Sequence, residues 1–187
     1  MQKIIISLFL SFSISSFAAP VDVKKSTINW KGTKITSDEH SGKIGIKSGD
    51  FQEKDGKLVG GEVVADMNDI ICEDLKDPEY NGKLVTHLKS PDFFDAKNHP
   101  YSNLKITKVE GNKATGELTI KGKKNPVSFA YEKTKEGSYK GKLVFDRTKF
   151  GIVFNSGNFF KDLKDKVIND DVQLSFEIYP EAQKEKK

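Results

Sequence analysis

The chain is predicted to be mainly β, a single antiparallel barrel of about eight strands with a short helix and loops over one end. Three observations carry this. Apolar and polar residues alternate with a period of two through most of the sequence, as in Ala114, Gly116, Leu118 and Ile120 against Thr115, Glu117, Thr119 and Lys121. Turn signals such as Asp55-Gly56, Gly111-Asn112 and Glu136-Gly137 separate the alternating runs. One stretch, Asn68 to Asp95, changes period. The 187 residues suffice for one domain with a real core and are too few for two comfortable ones.

The strands follow in order. Ser26 to Ile35 forms the first, with Ile28, Trp30 and Gly32 on one face, and His40-Ser41-Gly42 begins a second, with Ile44 and Ile46 sharing a face. After the Lys54 to Lys57 turn, Leu58 to Met67 is the third, alternating through Gly61, Val63, Ala65 and Met67. Strands resume at Ser102 with Leu104 and Ile106, then the run from Ala114 to Ile120, then Val127, Phe129 and Tyr131, then Tyr139, Gly141, Leu143 and Phe145. A longer connection, Arg147 to Asp170, carries Phe150, Phe154, Phe159 and Phe160 before a last strand with Val172, Leu174, Phe176 and Ile178. Pro180 ends it, and 181–187 is expected to be a flexible tail.

The odd stretch opens with Asp77-Pro78, a cap followed by a first-turn proline. Tyr80, Leu84 and Leu88 then recur every four residues with Val85 beside them, which is one apolar face of a helix. Ser90-Pro91 stops it, because the residue before proline is pushed out of the helical region. The adjacent Phe93 and Phe94 follow in a polar loop; helix and aromatic pair read either as a lid over a barrel mouth or as ordinary closure of the core. In an extended segment the two rings would point to opposite sides, so at most one would plug the barrel and the other would pair elsewhere, with Phe159 or Phe160.

Eight strands is the number at which a closed barrel either fills itself with side chains or holds one small ligand. Gly61, Ala65, Ala114, Gly116 and Gly141 fall on the apolar face among Trp30, Phe129, Phe145 and Phe176. Small residues there favour a lumen, since voids without an occupant forfeit packing energy. Glycines that kink strands for closure are the alternative. The predicted lining is Trp30, Ile44, Val63, Leu84, Leu88, Phe93, Phe94, Leu104, Leu118, Phe129, Leu143, Phe145, Leu174 and Phe176, with His87, Asp146 and Arg147 as polar groups near a mouth. An ion pair is an equal reading of Asp146 and Arg147.

Formal net charge is +4, but acids and bases are interleaved, which excludes the basic stripe of a nucleic-acid-binding surface. Lys121-Gly122-Lys123-Lys124 sits at a hairpin turn. No catalytic residue is assigned. The histidines are His40, His87 and His99, without HxH or HExxH spacing, so no metal site is assigned. There is no GxSxG elbow, Cys72 has no histidine beside it, and the acids Asp69, Glu73, Asp74 and Asp77 suit a helix start. Cys72, the single cysteine, follows Ile70-Ile71 and reads as a small buried apolar residue. An enzyme on the barrel using His40 or His87, and a filled barrel that docks a partner, remain as alternatives.

At the start, Lys3 precedes an apolar run from Ile4 to Ile14, and Ser16-Phe17-Ala18 offers small residues to a signal peptidase. Residues 1–18 are expected to be a signal peptide, 19–180 the domain, and the destination periplasmic or secreted. The apolar run is too short to span a bilayer comfortably.

The motif His87-Leu88-Lys89-Ser90-Pro91-Asp92-Phe93-Phe94-Asp95, with Pro100 beyond it, resembles the signature of the YceI-like lipid- or polyisoprenoid-binding family. Trp30, Gly32, His40-Ser41-Gly42, Gly116 to Gly122, Asp146 to Gly151 and Asn169 to Val172 agree in order, so the resemblance covers nearly the whole chain after the first twenty residues. It implies a lipocalin-like barrel, no catalytic residues and no cofactor beyond a bound polyisoprenoid or quinone as ligand. The expected partner is thus an apolar lipid, with no nucleic acid and no stable membrane insertion. A transient contact with a membrane or membrane protein, and a homodimer, are compatible with it.

Overall fold

The computed structural model describes residues 17–181. Most of the expected signal peptide, and nearly all of the expected tail, lie outside them. The elements are β1 (Phe17–Pro20), β2 (Thr27–Thr33), β3 (Glu39–Lys54), β4 (Lys57–Cys72), α1 (Pro78–Lys89), β5 (Tyr101–Glu110), β6 (Lys113–Ile120), β7 (Lys123–Lys133), β8 (Tyr139–Asp146) and β9 (Asp171–Ile178). Two 3-10 turns, Arg147–Phe150 and Lys164–Lys166, lie between β8 and β9.

All pairings are antiparallel, in the order β1-β3-β2-β9-β8-β7-β6-β5-β4, and the β3–β4 pairing closes the sheet into a barrel of eight strands, β2 to β9. β1 is the extra strand. It lies on β3 from Phe17↔Glu53 to Pro20↔Asp50, beyond the part of β3 that β2 covers. The turns fall where the sequence places them; Asp55 and Gly56 both take positive φ, as a tight two-residue hairpin requires.

Two elements differ from the sequence reading. β4 runs on to Cys72 rather than stopping at Met67, with a register shift between Ile44↔Ile70 and Gly45↔Asp66. The polar Asn68-Asp69, expected to open the stretch of changed period, is instead a bulge within β4, and it returns Ile70 and Cys72 to the interior, where they are buried. In α1, Asp77 accepts from the amides of Glu79 and Tyr80, as a cap should. The apolar face, however, is shorter than its period suggests: Leu88 is buried, Leu84 and Val85 half-buried, and Tyr80 63% exposed. Gly82 faces open space on the solvent side of this helix.

The small inward residues also need correction. A Cβ added at Gly61, Gly116 or Gly141 would come within 3.0 Å of the backbone carbonyl of Asp50, Lys105 or Ala130 on the neighbouring strand. At Gly141 it would also strike the Phe176 ring lying over it. These glycines allow strands to cross closely, so the kink reading holds for them, and Ala114 is fully buried in the wall. Of the five, only Ala65 faces the lumen.

Candidate functional site: the barrel interior

The strand pattern drives alternate residues inward, and they do not fill the barrel. A cavity of about 170 Å³ remains, with an almost wholly apolar lining. Its wall runs from Phe51, Leu58, Tyr139 and Ile178 at one end to Leu88, Phe93, Phe94 and Ile152 at the other, so the space is elongated along the barrel axis. Ile44, Val63, Leu104, Leu174 and Phe176 face this space and are only half-buried for that reason. Trp30, Leu118, Phe129, Leu143 and Phe145 line it from buried positions, and Phe129 meets Phe176 edge-on at 5.6 Å between centroids.

Three expected lining residues fall elsewhere. Leu84 packs against the core cluster without reaching the lumen. Asp146 caps the first 3-10 turn, accepting from the amide and hydroxyl of Thr148. His87 stands beside the lumen wall, its ring edge-on to Phe93 at 4.9 Å and to Phe154 at 4.6 Å, with Nε2 3.7 Å from an Asp92 carboxylate oxygen.

Arg147 does reach the lumen wall but is committed elsewhere. Its guanidinium donates to the carbonyls of Ile152, Phe154, Ile168 and Asn169 and to the Asp170 carboxylate, at 2.9–3.2 Å, which uses all five of its donors. It is 2% exposed; burial pulls its pKa down against the opposing pull of Asp170 and Asp146. The expected Asp146–Arg147 pair is thus replaced by Arg147–Asp170, and Arg147 fixes the long connection from within.

Phe93 and Phe94 both line the lumen, against the expectation that only one could. The segment is not extended: the amides of Phe93 and Phe94 bond back to the carbonyls of Ser90 and Leu88, and this turn brings both rings to one side. The ring partner of Phe93 is Phe154, at 5.5 Å, whereas Phe159 and Phe160 are exposed. Sequence reasoning missed Ile28, Phe51, Leu58, Met67, Ile70, Ile106, Ile120, Tyr131, Tyr139, Val172 and Ile178, which share strand faces with residues it chose. It also missed Ile152 and Ile168, which stand on irregular backbone where no period marks them.

Outside the lumen, Asp74 accepts from the Cys72 thiol at 3.2 Å and from the Ser41 amide at 2.7 Å, with His40 Nδ1 at 2.8 Å. Partial burial works to raise the Asp74 pKa, but the Ser41 amide, the His40 ring and the Cys72 thiol outweigh it and hold the carboxyl at about 2. The acid stands between thiol and imidazole, so His40 is not placed to deprotonate Cys72, and burial pushes the thiol up. The arrangement ties β3 to the end of β4. Among the described residues, no cluster of metal-ligating side chains forms and no helix is long and apolar enough to cross a membrane.

A closed barrel of eight antiparallel strands around an apolar, elongated space defines a lipocalin-like binding barrel. The chain belongs to the YceI-like domain family, whose model matches residues 20–179. It is similar to the crystal structure of Burkholderia cenocepacia BcnA, at 25% identity and a TM-score of 0.59, over 84% of this chain and 98% of that one. It also shares its fold with a polyisoprenoid-binding domain from Saccharophagus degradans, at 13% identity and a TM-score of 0.60, over 90% of this chain and all of that one (100%). No curated protein matches the chain.

Proposed function

We propose that this protein is an exported carrier that binds a long apolar lipid, a polyisoprenoid or an isoprenoid quinone, along the barrel axis. The observation that carries the reading is the lumen itself: its lining runs from one barrel end to the other and is almost without polar groups. Each methylene buried in such a space contributes about 0.8 kcal/mol, so a chain is held by length rather than by specific polar contacts. That the S. degradans neighbour is a polyisoprenoid-binding domain supports the same ligand class. The lumen also favours this reading over a filled barrel that only docks partners.

Engineered cavities of about 150 Å³ take up a single benzene. At about 170 Å³, the lumen described here is on that scale and must widen before a whole polyisoprenoid fits. The widening is expected where α1 meets the β8–β9 connection, at the Phe93–His87–Phe154 contact, rather than within the connection that Arg147 fixes. Export is read from Lys3, the apolar run and Ser16-Phe17-Ala18.

Mass spectrometry of organic extracts from the purified protein tests the ligand. A stoichiometric long-chain isoprenoid is the expected result. Recovery of none, together with no uptake of a fluorescent polyprenol in solution, would overturn the proposal. N-terminal sequencing of the exported protein should read from Ala19, and a retained Met1 would refute the export.

A further inference from the structure

The end of the barrel that carries α1 and the β8–β9 connection has an uneven rim. The acids Glu39, Glu73, Asp74, Asp77 and Glu79 gather on the β3–β4 side and the start of α1. On the opposite side, the β6–β7 hairpin carries Lys121, Lys123 and Lys124, and the first 3-10 turn adds Lys149. The two are neighbours, since Asn125 donates to the Lys149 carbonyl. The β8–β9 connection, whose 167–169 stretch bonds to Thr33, Lys34 and Ile35 at the end of β2, holds Phe159 and Phe160 in solvent, 58% and 47% exposed. Lys161, Lys164 and Lys166 follow, interspersed with Asp162 and Asp165, and none of these three lysines makes an ion pair among the described residues.

Two adjacent exposed phenylalanines have no folding rationale here. Their amides bond to the Ser156 carbonyl, which orders the backbone while the rings stay out. Aromatic rings with flanking lysines suit the surface of an anionic bilayer: rings sink to the headgroup level and ammonium groups pair with phosphates. We propose that the Phe159-Phe160 tip, with Lys161, Lys164 and Lys166 of the same connection, docks the barrel end transiently on an anionic membrane surface. This rests on the lipid-carrier reading, because an apolar chain then passes between bilayer and lumen without crossing water.

The test is flotation of the purified protein with vesicles of phosphatidylcholine alone and of phosphatidylcholine mixed with phosphatidylglycerol. Binding is expected to the anionic vesicles and to weaken with added salt. Phe159→Ser with Phe160→Ser should reduce it by about tenfold or more. Lys161→Glu and Lys164→Glu should each reduce it roughly fivefold. Val59→Ser, at a 42% exposed residue near the opposite end, should leave it unchanged. Equal binding to both vesicle types, or an unchanged Phe159/Phe160 variant, overturns the docking. So does a dimer in gel filtration that this variant abolishes, since the patch would then meet a second copy. Uptake of a fluorescent polyprenol from solution, measured on the same samples, separates the two proposals. Uptake without vesicle binding removes the docking alone, while no uptake by a wild type that also yields no extracted lipid removes the carrier reading beneath it.

Discussion

At one end of the barrel the strands join through short hairpins, and Phe51, Leu58, Val21 and Ile178 gather around Tyr139 as a small core of their own. Phe51 stacks on Tyr139 at 4.8 Å, and the Tyr139 hydroxyl donates to Glu53, which also takes Lys133. At the other end, α1 with its Phe93-Phe94 turn and the β8–β9 connection cross the opening and meet at the Phe93–His87–Phe154 contact, while Arg147 ties that connection to itself. The first end is closed by strands whose alternate side chains interlock. The second is closed by a helix, a loop and a long irregular connection that pack against the barrel rather than pair into it. On the carrier reading, opening is expected at this second end, where no ladder of paired strands has to break.

The sharpest way to break this contrast is Arg147→Ala. Removing the guanidinium leaves four carbonyls and Asp170 without their donor, and a stability loss of about 3–5 kcal/mol is expected in thermal or urea melts. Loss below about 1 kcal/mol would mean that the connection holds itself. Phe51→Ala against Phe94→Ala compares the ends directly. Phe51, buried in the closed end, should lose about 3–5 kcal/mol on truncation. Phe94, half-buried at the lid, should lose less and release a bound polyprenol faster; equal losses with unchanged release would erase the distinction. Gly141→Leu probes the wall between the ends: with the Ala130 carbonyl and the Phe176 ring in the way, about 1–3 kcal/mol should be lost even without ligand.

The smallest expected effect is at Asp74. Its folded pKa of about 2 lies below the ordinary 3.8, so its contribution is complete above about pH 4 and is lost as the pH falls through 2. Asp74→Asn should therefore cost below about 1 kcal/mol at neutral pH, since the group is partly exposed, and match the wild type near pH 2. A difference that grows in acid would contradict the assigned contacts.

Much of the barrel was legible because strand burial has a period of two: Ala114, Gly116, Leu118 and Ile120 are all buried, as their alternation demands. Asp77-Pro78 and Ser90-Pro91 bounded α1 because caps and prolines act locally. What stayed hidden depends on distant partners. Gly116 and Gly141 look alike in sequence whether they face a void or a neighbouring carbonyl, and only the sheet closure decides it. The choice of Asp170 over Asp146 by Arg147 is likewise set by a chain reversal of 23 residues that no local pattern encodes. The Phe93-Phe94 turn misled for a different, local reason: the chain keeps turning after Ser90-Pro91, its amides bonding back to Ser90 and Leu88, where an extended segment was expected.

Gly82 sits in the middle of α1 with nothing near its missing side chain. A glycine there weakens a helix by about 1 kcal/mol relative to alanine, and space for the methyl group is available. On the proposed carrier reading, α1 covers the barrel mouth with less helix stability than its position allows. Its melting and re-forming would then set a clock for cargo exchange, one that a single added methyl group would slow without touching the lumen.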